Sequence, residues 1–371
     1  MLLVDIGLVI AGLALLIGGG EALVRGASTF AARVGISPLV IGLVVVSAAT
    51  SAPELAVTVG AVLEGEPGLA VGNVIGSNIA NILLILGVSA VVSPLVIKRQ
   101  VVRFDIPVML GISVLLLVVS LDGRIGLIDG VLLLAGLVFH AVLSIVTGRR
   151  EALDETITPA EMPLNSKPVS LWLAAVLVVA GVGLLVFGAQ TLVTGAVNIA
   201  LDLGISSLVV GLTVVAIGTS LPELATSIVA LRRGETDMAV GNIVGSNIFN
   251  IGLVLGLPAI IFGDGIPVPS AAIALDMPLM LAAALALLPI AFTGFIIARW
   301  EGSLFVLLYV AYLLYVVLAS TEHDAATGFT TIMLWFVLPL VGITLLAVTA
   351  YEIALYRRKP TPEAPEATSG P

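Results

Sequence analysis

Two glutamates, Glu54 and Glu223, stand in the middle of long apolar stretches. Each directly follows a proline, Pro53 or Pro222, and each is preceded by a Thr-Ser pair, Thr50-Ser51 or Thr219-Ser220. A carboxylate in hydrocarbon is expensive, so a glutamate at that depth marks a functional site by default. The prolines add to this. Each removes a backbone donor and clashes with the carbonyl one turn back, at Ala49 or Gly218. In a membrane interior the freed carbonyls must find side chains, water or a cation. A packing kink would need only the proline; a kink directly before a glutamate, with hydroxyls in the opened turn, exposes oxygens to an ion. Thr50 lies four residues before Glu54, so their side chains share a helix face.

A second polar set follows each glutamate. Asn73, Ser77 and Asn81 are spaced by four and form one helical stripe, as do Asn242, Ser246 and Asn250. Gly72, Gly76, Gly241 and Gly245 beside them allow helices to approach closely, so part of the stripe is interhelical hydrogen-bonding. Ser77, Asn81, Ser246 and Asn250 are expected to point at the site, and Asn73 and Asn242 to serve in capping or gating. Carboxylates, hydroxyls, amides and strained carbonyls make an all-oxygen set, which suits hard cations; Ca²⁺ takes about 6–8 oxygens. Two ionised glutamates roughly 4 Å apart repel by about 4 kcal/mol at an effective dielectric near 20. One Ca²⁺, several Na⁺ or protons must neutralise them, and competition between such states for the same oxygens produces antiport.

The remaining polar residues carry less. The chain has no cysteine, which excludes disulfides and thiol chemistry. Asp105 and Asp276 precede Pro107 and Pro278 at expected helix starts, where N-capping accounts for them. His140 and His323 lack metal-ligand spacing and read as a satisfied interhelical histidine and a loop histidine. Glu21 corresponds to Gln190 in the repeat described below, so its charge lies outside the symmetric set. No H-E-x-x-H motif or paired intramembrane aspartate points to an enzyme. No cofactor and no nucleic-acid partner is expected.

Of the 371 residues, 59% are hydrophobic and 11% charged, against about a quarter charged in ordinary soluble domains. The hydropathy pattern gives an all-α polytopic membrane protein with eleven spans, at 2–24, 36–63, 68–92, 104–121, 125–147, 170–193, 205–231, 237–262, 270–292, 300–319 and 330–354. With the N-terminus outside, fourteen of the fifteen basic residues fall in inward loops or the tail, Arg124 being the exception. The expected placement is therefore the plasma membrane, N-terminus outside and C-terminus cytoplasmic.

The chain repeats itself. Adding 169 maps Gly35-Ile36-Ser37 onto Gly204-Ile205-Ser206, Pro53-Glu54 onto Pro222-Glu223, and Asn81 onto Asn250. Five helices separate equivalent points, and an odd number inverts the second copy, which places a transporter site at the repeat interface near the midplane. The expected organisation is a first repeat over 1–148 with its strongest internal match at 42–87, a cytoplasmic linker over 149–169, and a second repeat over 170–320 with its match at 211–256. An extra helix over 326–356 and a cytoplasmic tail over 357–371 complete the chain.

The segments TSAPEL and GNVIGSNIANILLILG, with TSLPEL and GNIVGSNIFNIGLVLG, resemble the α-repeats of the calcium/cation antiporter superfamily, in its prokaryotic sodium/calcium exchanger branch. The resemblance covers the first ten helices and implies a ten-helix core of two inverted five-helix repeats that alternates access by sliding the first and sixth helices. It implies ion ligands at Thr50, Ser51, Glu54, Ser77, Asn81, Thr219, Ser220, Glu223, Ser246 and Asn250. Carbonyls of Ser47 and Ala216 add sodium contacts, and Glu54 and Glu223 with the carbonyls of Thr50 and Thr219 hold calcium. Some members carry an acid where this chain has Asn250, so here the site has two formal negative charges. The expected activity is Na⁺/Ca²⁺ antiport. An H⁺/Ca²⁺ antiporter is the alternative within the class, and a cation channel one from another class. The eleventh helix lies outside the ten-helix pattern.

Overall fold

The computed structural model describes residues 2–154, 170–210, 213–214, 216–292, 295–321, 323, 325–344, 347 and 350. Eleven helical segments follow one another. They are α1 (Leu2–Val34), α2 (Pro38–Leu63), α3 (Pro67–Val92), α4 (Val101–Val119), α5 (Leu127–Asp154) and α6 (Leu171–Asp202). Then come α7 in pieces (Ser207–Val210, Ala216–Gly218 and Leu221–Arg232), α8 (Thr236–Ile261), α9 (Ala272–Asp276 leading into Met277–Phe292), α10 (Arg299–Ser320) and α11 (Ala325–Thr344). Nine of the described helices are long and apolar enough to cross a bilayer as single runs; α7, part of which lies outside the described residues, and α9, with a shorter apolar run, complete the set.

Local chemistry sets the ends. The Gly-Ile-Ser triplet stops α1 and α6 in the same way: Gly35 (φ +68°) and Gly204 (φ +82°) take the left-handed conformation that halts a helix. Ser37 then caps α2, its hydroxyl accepting from the Val40 N–H at 3.4 Å, with Pro38 in the first turn. Ser206 accepts likewise from Val209 at 3.3 Å. Both α1 and α6 outrun their expected spans, because Arg25 and Asn198 continue the helix instead of ending it. The α5 helix likewise continues through Asp154, past the expected start of the linker at Arg149. The rest of that linker, the end of the eleventh helix and the tail lie outside the described residues.

Among the described residues, π-helical turns occur in α2 (Gly42–Val46), α3 (Ala80–Leu86), α8 (Asn250–Leu255), α4 (Val101–Asp105) and α9 (Ala272–Asp276). In α3 and α8 the π turn begins at the last asparagine of the polar stripe. Such turns are frequent at functional sites.

Two short antiparallel strand pairs tie the repeats together. β1 (Leu95–Val96) pairs with β4 (Ile296–Ile297), and β2 (Arg124–Ile125) pairs with β3 (Ile266–Pro267). The loop before α4 thus meets the loop after α9, and the loop after α4 meets the loop before α9. Since α4 separates β1 from β2, the equivalent loops before α4 and α9 lie at opposite ends of the bundle. The second five-helix repeat is therefore inverted relative to the first.

Packing divides the ten-helix body in two. The main hydrophobic cluster draws on α2 to α5 and α8 to α10, including Ile75, Ile79, Leu86, Ile106, Val254 and Phe305. None of it comes from α1 or α6. Those two lie antiparallel against each other through glycines seven residues apart, Gly12, Gly19 and Gly26 on α1 and Gly181, Gly188 and Gly195 on α6. A methyl group on Gly12 would come within 2.7 Å of the Gly188 carbonyl oxygen, and one on Gly19 within 2.9 Å of that of Gly181. The pair meets the other helices through a second, smaller cluster in which Leu16, Leu23, Val24 and Leu185 face Ile41, Val46 and Val229. The eleventh helix rests on the outside against α10, with none of its described residues buried.

Candidate cation site

The helix breaks fall where the prolines demanded them. Ser51 (φ −79°, ψ 0°) and Ser220 (φ −91°, ψ 5°) are turn residues, and a new helix starts directly after each. Pro53 and Pro222 occupy the first turn of the new helix, where a missing N–H costs nothing. Glu54 and Glu223 share that first turn, at the positive end of the helix dipole. The preceding pieces, Ser47–Thr50 and Ala216–Gly218, end with their carbonyls towards the break. Each break therefore presents a carboxylate beside a helix C-terminus, the combination that coordinates small cations in broken membrane helices.

The two copies cross. The Ala52–Leu63 piece of α2 packs on the π turn Asn250–Leu255 of α8, and Leu221–Arg232 of α7 packs on Ala80–Leu86 of α3. Four helices converge there, and both glutamates are buried. Ser47, Thr50, Ser51, Glu54, Ser77, Asn81, Ser220, Glu223, Ser246 and Asn250 are all buried, and Thr219 is half-buried. Ala216 lies in the described piece Ala216–Gly218, which packs against α3.

Some of these groups are engaged with protein. The Thr50 hydroxyl lies 3.2 Å from Asn242 Oδ1 and 3.4 Å from Ser246 Oγ. The Ser47 hydroxyl reaches the Gly42 and Asn242 carbonyls at 2.7 and 3.1 Å, and the Ser47 carbonyl accepts from the Ser51 N–H at 2.9 Å. Asn73 donates to the Glu54 carbonyl (3.2 Å) and to Thr58 Oγ1 (3.1 Å), and Asn242 donates to Ser227 Oγ (3.2 Å), so these two asparagines bind α3 to α2 and α8 to α7.

Other groups have no protein partner. Among the described residues, both carboxylate oxygens of Glu54 and of Glu223, the hydroxyls of Ser51, Ser77 and Ser220, both polar ends of the Asn81 amide and Asn250 Oδ1 are buried without a hydrogen bond. Native interiors rarely leave so many polar atoms unmatched, and nearly all of these are oxygens. The arrangement can replace the hydration shell of a hard cation. Sequence reasoning missed one member of this group: Thr226, three residues after Glu223 on the same face, is buried with its hydroxyl unpartnered. Its spacing from Glu223 was the available signal.

Two charged groups lie elsewhere. Asp105 does not cap α4. It ends a π turn without a side-chain cap bond, and its carboxylate instead lies 2.9 Å from His140 Nε2 on α5, with Ser144 Oγ at 3.4 Å. The aspartate turns inward because the π turn continues the helix through it, leaving no free N–H groups to cap. Asp276 ends the equivalent π turn in α9. His140 is interhelical, as expected, and stacks on Phe104 at 5.9 Å, but it is not fully satisfied, since its Nδ1 is buried without a hydrogen-bond partner. Glu21, outside the symmetric set, pairs with Arg233.

The closeness of the two copies differs. A methyl group on Gly241 would lie 2.6 Å from the Leu39 carbonyl oxygen, and one on Gly245 would collide with Ser47 Oγ and the Leu43 carbonyl, so the leading half of α2 is pressed onto α8. The equivalent glycines on α3 are accessible: Gly72 is exposed and Gly76 half-buried, whereas Gly241 and Gly245 are buried.

A profile of the family described as sodium/calcium exchanger protein matches residues 4–146 and 173–318, the two repeats without the linker and without α11. The inner membrane protein YrbG of Escherichia coli is 40% identical over 267 residues, covering 70% of this chain and 81% of that protein. The sodium/calcium exchanger MaX1 of Methanosarcina acetivorans is 32% identical over 346 residues, covering 84% of this chain and 98% of that protein. Among solved structures, the sodium-calcium exchanger NCX_Mj superimposes with a TM-score of 0.71 at 34% identity, covering 85% of this chain and 99% of that one.

Proposed function

The chain belongs to the sodium/calcium exchanger family of cation antiporters, in the prokaryotic branch of the calcium/cation antiporters, and on that premise we propose that it exchanges Na⁺ for Ca²⁺ through the site between Glu54 and Glu223. The observation that carries this reading is the set of buried oxygens without protein partners, contributed almost equally by the two repeats. Glu54 and Glu223, with the carbonyls of Thr50 and Thr219, hold Ca²⁺; one divalent ion balances their two charges. The same carboxylates with Thr50, Ser51, Ser77, Asn81, Thr219, Ser220, Ser246 and Asn250, and the carbonyls of Ser47 and Ala216, hold Na⁺. Both ions need the same oxygens, so occupancy by one excludes the other, and that exclusion couples the two fluxes.

Alternation follows from the division of the body. The α1/α6 pair shares no residue with the main core and is joined to the rest by the smaller cluster, so it can slide while the site helices keep their packing. Opening then passes from the α7/α3 side to the α2/α8 side. The charge distribution of the loops supports a plasma-membrane placement with the N-terminus outside, which makes the accessible side extracellular.

Proton coupling is the second reading, because unpartnered carboxylates can also take protons. The partnerless hydroxyls of Ser51, Ser77 and Ser220 favour Na⁺, which needs such ligands where a proton does not. Uptake of ⁴⁵Ca²⁺ into proteoliposomes, driven by an outward Na⁺ gradient or by a pH gradient alone, separates the two. Na⁺-driven uptake is expected; uptake indifferent to Na⁺ would overturn the reading.

A further inference from the structure

We propose that Asn78 is a positioning residue that holds Asn250 with its carbonyl oxygen towards the cation and keeps a neutral group at that place in the site. The inference rests on Asn250 being a ligand, as proposed above.

Asn78 stands one residue beyond Ser77 on α3 and is buried, but it lies off the Asn73-Ser77-Asn81 stripe. Its side-chain amide has a single workable orientation. Nδ2 donates to the Asn247 backbone carbonyl at 3.2 Å and lies 3.7 Å from the Met280 sulfur. Both neighbours only accept, so the nitrogen must face them and Oδ1 must face away. That oxygen receives Asn250 Nδ2 at 3.1 Å. The choice passes down the chain of bonds: a backbone carbonyl fixes Asn78, and Asn78 fixes Asn250. With its nitrogen held, Asn250 leaves Oδ1 as its free end, and that atom is buried without a protein partner. It starts the π turn that packs on the Glu54-bearing piece of α2.

The second repeat does not return the arrangement. Asn247, the counterpart of Asn78, donates to the Ile243 carbonyl of its own helix at 2.8 Å. Asn81, the counterpart of Asn250, has neither end bonded. One ligand amide is therefore held oxygen-first and the other is free to turn, although the two sequences match at these positions.

The same bond selects against a charge. An ionised carboxylate at position 250 would set an acceptor against the acceptor Oδ1 of Asn78 with no hydrogen between them, in a buried place where that repulsion is unscreened. An amide satisfies Asn78 and adds no charge. With Asn78 in place the site is built for two carboxylates, which a single divalent ion balances.

The test is ⁴⁵Ca²⁺/Na⁺ exchange in proteoliposomes as a double-mutant cycle on Asn78→Leu and Asn250→Ala. Asn78→Leu is expected to raise the half-saturating cation concentration about tenfold, the order expected for losing a buried orienting hydrogen bond, while changing maximal rate less than about twofold. In the Asn250→Ala background the same substitution should add little, because no amide remains to orient. Should Asn78→Leu fail to reconstitute, Asn78→Ala carries the same expectation, with melting temperature measured alongside. Equal and additive losses in both backgrounds, or an unchanged half-saturation in the Asn78 variants, overturn the positioning role. An Asn250→Ala variant with unchanged ion dependence instead removes Asn250 from the site, and that outcome is recognised before Asn78 is considered.

Discussion

The leading half of α2 and the leading half of α7 carry nearly the same residues and sit in opposite circumstances. The first is packed backbone to backbone on α8, over Gly241 and Gly245; the second leaves Gly72 and Gly76 on α3 accessible. Closely similar motifs thus meet two different surroundings among the described residues: glycines buried under α2 on α8, and accessible glycines on α3. Part of the difference lies in the motif: the Ser47 hydroxyl, which bonds the Asn242 carbonyl across the closed packing, is replaced by Ala216 in the second copy, and ion pairs add to this. Glu21 on α1 pairs with Arg233 at the closed end, whereas the symmetric positions, Gln190 and Glu64, cannot form an ion pair. Lys98 adds a 2.9 Å ion pair to Asp237 at the start of α8, and Ser28 on α1 donates to Glu235 at 3.2 Å.

The largest effects should ignore this asymmetry. Glu54→Gln and Glu223→Gln are each expected to cut exchange by about 100-fold or more, the scale of losing one charged member of a buried set, with the protein still folded. Full ⁴⁵Ca²⁺ uptake in either variant would remove that glutamate from the site. The next test separates the two packings. Gly245→Ala should cost about 1–3 kcal/mol in thermal unfolding, because the methyl meets Ser47 and Leu43. Gly76→Ala should leave stability within about 0.5 kcal/mol of the parent yet slow exchange, since the opposite packing needs that space. Equal destabilisation by both would show that the two sides are packed alike.

Accessibility gives a smaller and more direct contrast. The chain contains no cysteine, so single cysteines report without a background. Asn73→Cys should react with a membrane-impermeant thiol reagent roughly tenfold faster than Asn242→Cys, as the thiol nearer water carries more thiolate. Comparable rates would mean that both sides open equally. The smallest effect belongs to Glu21→Gln. An ion pair this exposed is worth up to about 1 kcal/mol, so its loss should shift the labelling ratio by no more than about fivefold, and less at high salt. A shift that persisted undiminished in concentrated salt would argue against an electrostatic latch.

Much of the architecture was legible because membranes simplify the problem. Uninterrupted apolar runs, charge-bearing loops and a repeat at a constant offset gave the helices and their inversion. The paired Pro-Glu dipeptides located the breaks, because a missing N–H and an intramembrane charge have few other uses. What stayed hidden depended on how helices rotate against each other. The π turns were invisible, since a helix apolar on all sides gives no periodic mark of a widened turn. Asp105 and His140 are 35 residues apart in the chain; each looked ordinary until α4 and α5 were set face to face. The heptad glycines of α1 and α6 could have been found by spacing alone, and predict the close antiparallel pair. The ligand positions, finally, match between the copies, and the Ser47/Ala216 difference that bears on closure was visible without showing its effect.

The two short strand pairs bear on how this chain is made. β1 ends at Val96, and its partner begins at Ile296; β2 ends at Ile125, and its partner begins at Ile266. A ribosome must therefore deliver well over a hundred further residues before either strand has anything to bond. Until then the first repeat waits in the bilayer with Glu54 facing no Glu223 and with half of the polar set unmatched. Its inverted twin completes it, and the last of the partner strands arrives just before α10. Biogenesis of this protein is an assembly of two halves translated as one, in which the first half becomes native only when the second does.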